Sequence, residues 1–156
     1  MNKKKLSNLV TENYLVCVDH SDEFATALNY ACKIAKENKT GIILLYVIEA
    51  EKFRHWKGVE SIMKKEQEND AKEILSSYLE TIVLKYKIKT KTIIKRGEKI
   101  DILIKTLNNK RYKVTNLILG LAMEETSSNK IIGSLTSGFR KKLTLPITIV
   151  PGNMEV

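Results

Sequence analysis

The stretch Tyr14–Ala50, YLVCVDHSDEFATALNYACKIAKENKTGIILLYVIEA, decides the fold. YLVCVD (Tyr14–Asp19) is a β-rich run that ends in polar residues, the outline of a strand with its carboxyl end at the surface. Ser21, Asp22 and Glu23 follow, a hydroxyl and two carboxylates of the kind that suit the positive end of a helix. Phe24, Ala27, Leu28, Ala31, Ile34 and Ala35 then recur at helical spacing. Gly41 closes the helical region, and GIILLYVIEA is apolar nearly throughout, the pattern of a strand buried on both faces. Strand, helix and doubly buried strand together make a parallel βαβ unit.

Working outward, the alternation continues. Ala50 to Gly58 reads as a polar loop holding His55 and Trp56. A long helix is predicted from Val59 to Tyr86, with Ile62, Ala71, Leu75, Leu79 and Ile82 on one stripe. KIKTKTIIKRG (Lys87–Gly97) reads as a third strand, with Lys87, Lys89 and Lys91 on one face, as at an exposed sheet edge. Ile100, Leu103, Ile104 and Leu107 mark a third helix, and VTNLILG (Val114–Gly120) a fourth strand. Ile132, Leu135, Phe139 and Leu143 mark a fourth helix. LPITIV (Leu145–Val150) is the last strand, with Pro146 at its start. Strands alternating with helices give an α/β fold: a five-stranded parallel sheet with helices on both faces, a Rossmann-like three-layer sandwich. Residues 1–156 are expected to form one domain, with 1–12 as a flexible extension.

Composition narrows the function. The 156 residues carry a net charge of +9, with 43% hydrophobic and 29% charged residues, an ordinary globular balance. No apolar run approaches the roughly 18 residues of a membrane helix, and MNKKKLSNLVTEN has no apolar segment behind its charges, so neither a membrane span nor a signal peptide is expected. Cys17 and Cys32 lack CxxC or metal-site spacing and read as small core residues in a reducing, cytoplasmic compartment. The lysines are spread along the chain without interleaved aromatics. That pattern reads as a solvated surface, so neither nucleic acid nor membrane is expected as a partner.

Ligands of open parallel sheets bind beyond the strands' carboxyl ends, where the winding reverses. If the first and fourth strands are neighbours, two loops meet there: Asp19-His20-Ser21 and GLAMEETSSNKIIGS (Gly120–Ser134). Gly120 permits close backbone approach, and Gly133 and Ser134 lie near a helix start, where free N–H groups favour an anion. Ser127, Ser128 and Asn129 suit either a ligand or a helix cap. A flexible loop with a cap fits the same spacing. The absence of GxxxxGK[ST] excludes a P-loop enzyme, and no GxGxxG follows the first strand. IIKRGE lacks the aspartate of a phospho-accepting receiver, and DHSDEF is not the SGGxDS-like loop of an ATP pyrophosphatase. His20 and His55 have no identifiable nucleophile partner, so no catalytic or metal residue is assigned.

The long loop resembles the nucleotide loop of universal stress proteins, G-x2-G-x9-G-[ST]: Gly120 and Gly133-Ser134 stand in register, and Met123 stands at the second glycine. YLVCVDHSDEFATALNYA resembles that family's opening strand and helix, LLYVIEA its second strand, and LTLPITIVPG its closing strand. The resemblance implies strand order 3-2-1-4-5 and an adenine-nucleotide-responsive binding protein holding ATP, with or without Mg. Asp19 and Val47 would contact the adenosine, and Gly120 the ribose and phosphates. Gly133, Ser134, Leu135 and Thr136 would receive the phosphates. Met123 obstructs a glycine position, and Glu124 and Glu125 repel phosphate, which Lys130 partly offsets, so a weak or degenerate site and at most slow hydrolysis are expected. The resemblance also implies a homodimer through Ile147–Val150 and an unknown protein client. The alternative reading is a dimeric interaction module that binds no nucleotide.

Overall fold

A computed structural model describes residues 12–19, 21–49, 57–124 and 129–156, and the side chains at 57–59 lie outside the description. The elements alternate as β1 (Asn13–Cys17), α1 (Asp22–Asn38), β2 (Gly41–Ile48), α2 (Lys57–Thr81), β3 (Thr90–Arg96), α3 (Lys99–Asn108), β4 (Val114–Leu121), α4 (Asn129–Thr136) and β5 (Ile147–Pro151). Short 3-10 turns, Val83–Tyr86, Lys110–Tyr112 and Arg140–Lys142, lead into β3, β4 and β5. The sheet is parallel throughout, in the order β3-β2-β1-β4-β5, as expected.

Period-two alternation divides the core. Val16, Val18, Ile42, Leu44 and Ile118 point to one face, where α1 and α2 cover them. Leu15, Cys17, Ile43, Leu45 and Leu117 point to the other, under α3 and α4. The central strands are therefore apolar on both sides, which is why GIILLYVI reads as a continuous run. Leu28, Leu103 and Leu117 are fully buried, each burial contributing roughly 1.5–3 kcal/mol. Phe24 meets Tyr78 edge to face at 4.7 Å between centroids and so locks α1 against α2.

Local chemistry sets the helix ends. The Ser21 hydroxyl accepts from the Phe24 amide at 3.2 Å to cap α1, and Lys39, in the left-handed conformation, closes it. The Glu98 carboxylate caps α3 by accepting from the amides of Ile100 and Asp101.

Three sequence expectations are corrected. The second helix ends at Thr81 rather than Tyr86, because the chain tightens into the 3-10 turn Val83–Tyr86. Lys87 then takes φ 53, so it closes that turn instead of opening a strand. Among the three lysines expected on one strand face, only Lys91 lies within β3, although β3 does form the sheet edge. The fourth helix stops at Thr136. Gly138 follows, and Phe139 and Leu143 reach the core from irregular chain.

Candidate functional site

The winding reverses between β1 and β4, and both strands end at the same side of the sheet. Asp19 lies two residues past the end of β1 and is half-buried. One of its carboxylate oxygens accepts from the Ser21 amide at 2.8 Å and from the Ser21 hydroxyl. Asp19 therefore holds the residue that caps α1 and leaves its second oxygen without a hydrogen-bond partner among the described residues. His20 lies outside the described residues, as do His55, Trp56, Glu125, Ser127 and Ser128.

Val47 sits on β2 beside this point, with its side chain 8% exposed in the core under α3 and α4. Its main chain is the informative part. The Val18 amide donates to the Leu45 carbonyl and the Gly97 amide to the Ile48 carbonyl, so alternate residues of β2 address alternate neighbours. Val47 addresses the β1 side. Among the described residues the β1–β2 ladder ends with the Val18 bond, and the Val47 N–H and C=O have no main-chain partner on that side. A donor and an acceptor on one peptide edge suit a planar heterocycle carrying the complementary pair.

The two motif glycines differ in kind. A Cβ on Gly120 would come within 2.7 Å of the Glu23 carbonyl oxygen and 2.9 Å of its carbon. A Cβ on Gly152, which follows β5, would meet the Glu23 side chain at 2.7 Å. The first turn of α1 thus rests on the ends of β4 and β5 through these two glycines. A Cβ on Gly133 would meet nothing within 4 Å. Gly133 lies in the fifth position of α4. In such a helix the amides from Gly133 onward bond to carbonyls four residues back, and those of Asn129, Lys130 and Ile131 are free of intrahelical partners. Ser134 is half-buried and Leu135 is fully buried under the sheet face. The Thr136 hydroxyl donates back to the Ile132 carbonyl at 2.8 Å. Gly133 to Thr136 therefore flank the site as a helix wall, with Gly133 offering open surface.

Met123 is 52% exposed just past β4. Asn129, which the sequence reads as suiting either a ligand or a helix cap, has a specific task in the structure. Its side-chain oxygen accepts from the Ala122 amide at 3.0 Å and its amide donates to the Ala122 carbonyl at 3.2 Å. This two-point tie joins the end of β4 to the start of α4 and fixes where Met123 and Glu124 emerge.

Among the described residues carboxylates outnumber cations at this end. Asp19, Asp22, Glu23, Glu49, Glu98 and Glu124 gather near the strand ends, against Arg96 at the end of β3, Lys99 at the start of α3 and Lys130 in α4. Burial pushes the Cys17 thiol up to about 11; Lys99 opposes that rise, and Asp19 and Glu49 add to it. Lys99 was missed in the sequence, although the β3–α3 turn must open at this same end of a parallel sheet. Burial also raises the Tyr78 phenol, with Asp19 and Asp22 adding to the effect. Among the described residues no cluster of His, Cys, Asp and Glu could hold a metal ion, and no helix is long and apolar enough to cross a membrane.

A parallel sheet whose winding reverses between β1 and β4 defines a doubly wound α/β protein, in which ligands bind at the switch point. The model of the universal stress protein family matches residues 11–151, and the chain belongs to that family. Its structure is similar to the universal stress protein UspA from Lactobacillus plantarum, with 20% identity, a TM-score of 0.67, and coverage of 92% of this chain and 99% of that one. It is also similar to a universal stress protein in complex with cAMP, with 15% identity, a TM-score of 0.62, and coverage of 90% and 97%. A universal stress protein from Archaeoglobus fulgidus in complex with dAMP gives 15% identity, a TM-score of 0.64, and coverage of 91% and 99%. At these identities the likeness is one of fold. No protein of curated function matches the chain.

Proposed function

We propose that this chain is an adenine-nucleotide-responsive binding protein whose site lies between the ends of β1 and β4. The observation that carries this reading is the main-chain edge of Val47, which has no partner among the described residues and lies beside Asp19 at the switch point. The adenine ring hydrogen-bonds to that edge, and the free carboxylate oxygen of Asp19 accepts from a ribose hydroxyl. The phosphates run past Gly120 toward Gly133, Ser134, Leu135 and Thr136 on α4. The nucleotides bound to the cAMP and dAMP relatives support the ligand class.

The phosphate end of this path is poorly made for a triphosphate. Met123 projects where the family's motif has glycine, and Glu124 adds a like charge beside it. ATP, with or without Mg, therefore binds more weakly than AMP, and hydrolysis is at most slow. The protein acts in the cytoplasm by changing partners with nucleotide state. Its own second copy joins through β5, whose outer edge has no partner strand among the described residues and whose Ile149 is 40% exposed.

Isothermal titration with AMP and ATP tests the site. Wild type should bind AMP more tightly than ATP, Met123→Gly should strengthen ATP binding most, and Gly133→Val should weaken both. The last variant is a fair probe, because the open space at Gly133 lets it fold. Tight ATP binding that Met123→Gly leaves unchanged would refute this account of the loop. No nucleotide binding by any of the three proteins would favour the interaction-module reading instead.

A further inference from the structure

The lysines that lie scattered through the sequence are gathered in space. In a parallel sheet every strand begins at the same end, so whatever precedes a strand arrives there. Lys39 precedes β2, Lys87 and Lys89 precede β3, and Lys110, Arg111 and Lys113 precede β4, all of them exposed. The exposed 3-10 turn Arg140–Lys142, ahead of β5, is wholly basic. The facing carboxylates are Glu12, Glu37 and Glu80. The opposite end of the same sheet is the acidic one already described.

A second observation is independent of the charge. Lys39, Lys87 and Lys113 have φ of 55, 53 and 46, the left-handed region. Each closes a helical turn one to three residues before a strand, at a position where glycine is usual. A side chain there costs roughly 1–2 kcal/mol, and in each case that side chain is lysine. In the sheet order, β3 to β4 is three strand spacings, about 14 Å at ~4.8 Å each. Lys87, Lys39 and Lys113 therefore form a row about as long as four base-pair steps of a duplex at ~3.4 Å. Beside Lys113 the surface dips into an open groove of about 590 Å³ whose lining includes Asn108, Asn109, Lys110 and Thr144.

We propose that the amino end of the sheet docks on the backbone of a nucleic-acid duplex, through its phosphates and without reading its bases. A linear row of point charges suits a linear polyanion, and lysine neutralises phosphate without base selectivity. Single strands fit less well, because they bind by stacking on aromatic faces. The Tyr112 ring carries the Lys91 ammonium at 4.9 Å, and the Phe139 ring carries Lys142 at 5.3 Å. An anionic membrane also fits less well. Stable anchoring there needs a sizeable apolar signal besides the charge, and Leu84 is the one strongly exposed aliphatic side chain at this end among the described residues.

The test is fluorescence anisotropy of a short mixed-sequence DNA duplex across a salt series, with the full chain. The triple variant Lys39→Gly, Lys87→Gly, Lys113→Gly removes the row while relieving its left-handed strain, so it should melt no lower than wild type. Lys33→Gln, Lys65→Gln, Lys72→Gln removes equal charge from exposed helix faces. Wild type should bind with a steep salt dependence. The glycine triple should flatten the log–log slope by about 2.7, three phosphate contacts at ~0.9 each, and the glutamine triple should keep the wild-type slope. Equal losses in the two variants would overturn the proposal, as would absence of duplex binding. Binding to phosphatidylserine vesicles or polyglutamate but not to duplex would also overturn it and assign the surface to lipid or to an acidic protein.

Discussion

Gly120 and Gly133 belong to one sequence motif, yet the structure predicts opposite results for the same substitution. At Gly120 an added Cβ lies 2.7 Å from the Glu23 carbonyl oxygen and 2.9 Å from its carbon. Both are backbone atoms of a capped helix, so no flexible side chain can swing aside, and α1 must shift off β4. Overpacking of this kind costs about 1–3 kcal/mol. For a domain of this size that lowers the melting temperature by roughly 2–12 °C. At Gly133 the added methyl meets nothing within 4 Å and the residue is helical. Replacing glycine by alanine there should stabilise by about 0.5–1 kcal/mol. Urea denaturation of Gly120→Ala and Gly133→Ala, with matched slopes, measures both. If Gly120→Ala lies within about 0.5 kcal/mol of wild type, the close approach of α1 to β4 is not what requires glycine, and the reasoning fails.

Two further outcomes can be checked on the same instruments. Ser21→Ala removes the α1 cap and the Asp19 contact together and should cost about 1 kcal/mol; unchanged stability would show the cap to be dispensable. Burial pushes Cys17 up to about 11 and Cys32 up to about 12, so the folded chain keeps protons that unfolded thiols release above about pH 8.5. This stabilisation is fully present below that pH and is lost as pH rises toward the folded values. The thermal midpoint should therefore fall between about pH 9 and 11, and Cys32→Ala, which has no thiol to titrate, should fall less steeply; an identical fall would remove Cys32 from the explanation.

The fold was legible because its signals are local and repeat. The run GIILLYVI can be buried on both faces only inside a parallel sheet, and Ser21-Asp22-Glu23 announces the helix behind β1 in three residues. Helix ends were less legible. Lys87 looked like the first lysine of an alternating strand because nothing in KIKTKT distinguishes a residue at φ 53 from an extended one. The candidate site was legible only as an address. The switch-point rule and the resemblance brought Asp19, Val47, Gly120 and Met123 to one end of the sheet, where the structure also places them. What Gly120 packs against could not be read, because Glu23 is distant in sequence and enters only when α1 folds back over β4. The useful part of Val47 was hidden for a related reason. That its peptide has no partner among the described residues depends on how β1 and β2 are paired, which is a matter of register rather than of residue type.

The charge of the chain shows how a statistic taken along a sequence can mislead about a surface. Even spacing of lysines reads as even distribution only if positions far apart in sequence are unrelated in space. In a parallel α/β sheet they are related, because the chain returns to the same end before every strand. A residue type placed once per βα unit, just before the strand, is dilute in the sequence and concentrated at one end of the sheet. The carboxylates obey the same rule in reverse: Asp19, Glu49 and Glu124 each follow a strand and collect at the opposite end. The net charge of +9 therefore describes neither end. Among the described residues a phosphate approaching the proposed nucleotide site meets more carboxylates than cations, and one approaching the amino end meets mainly lysines. Salt should consequently act in opposite directions at the two ends. Screening relieves repulsion at the first and weakens attraction at the second. Raising the salt concentration should thus strengthen ATP binding relative to AMP, while it releases duplex. If ATP and duplex binding weaken in parallel as salt rises, ATP is being held by the lysines and not at the ends of β1 and β4.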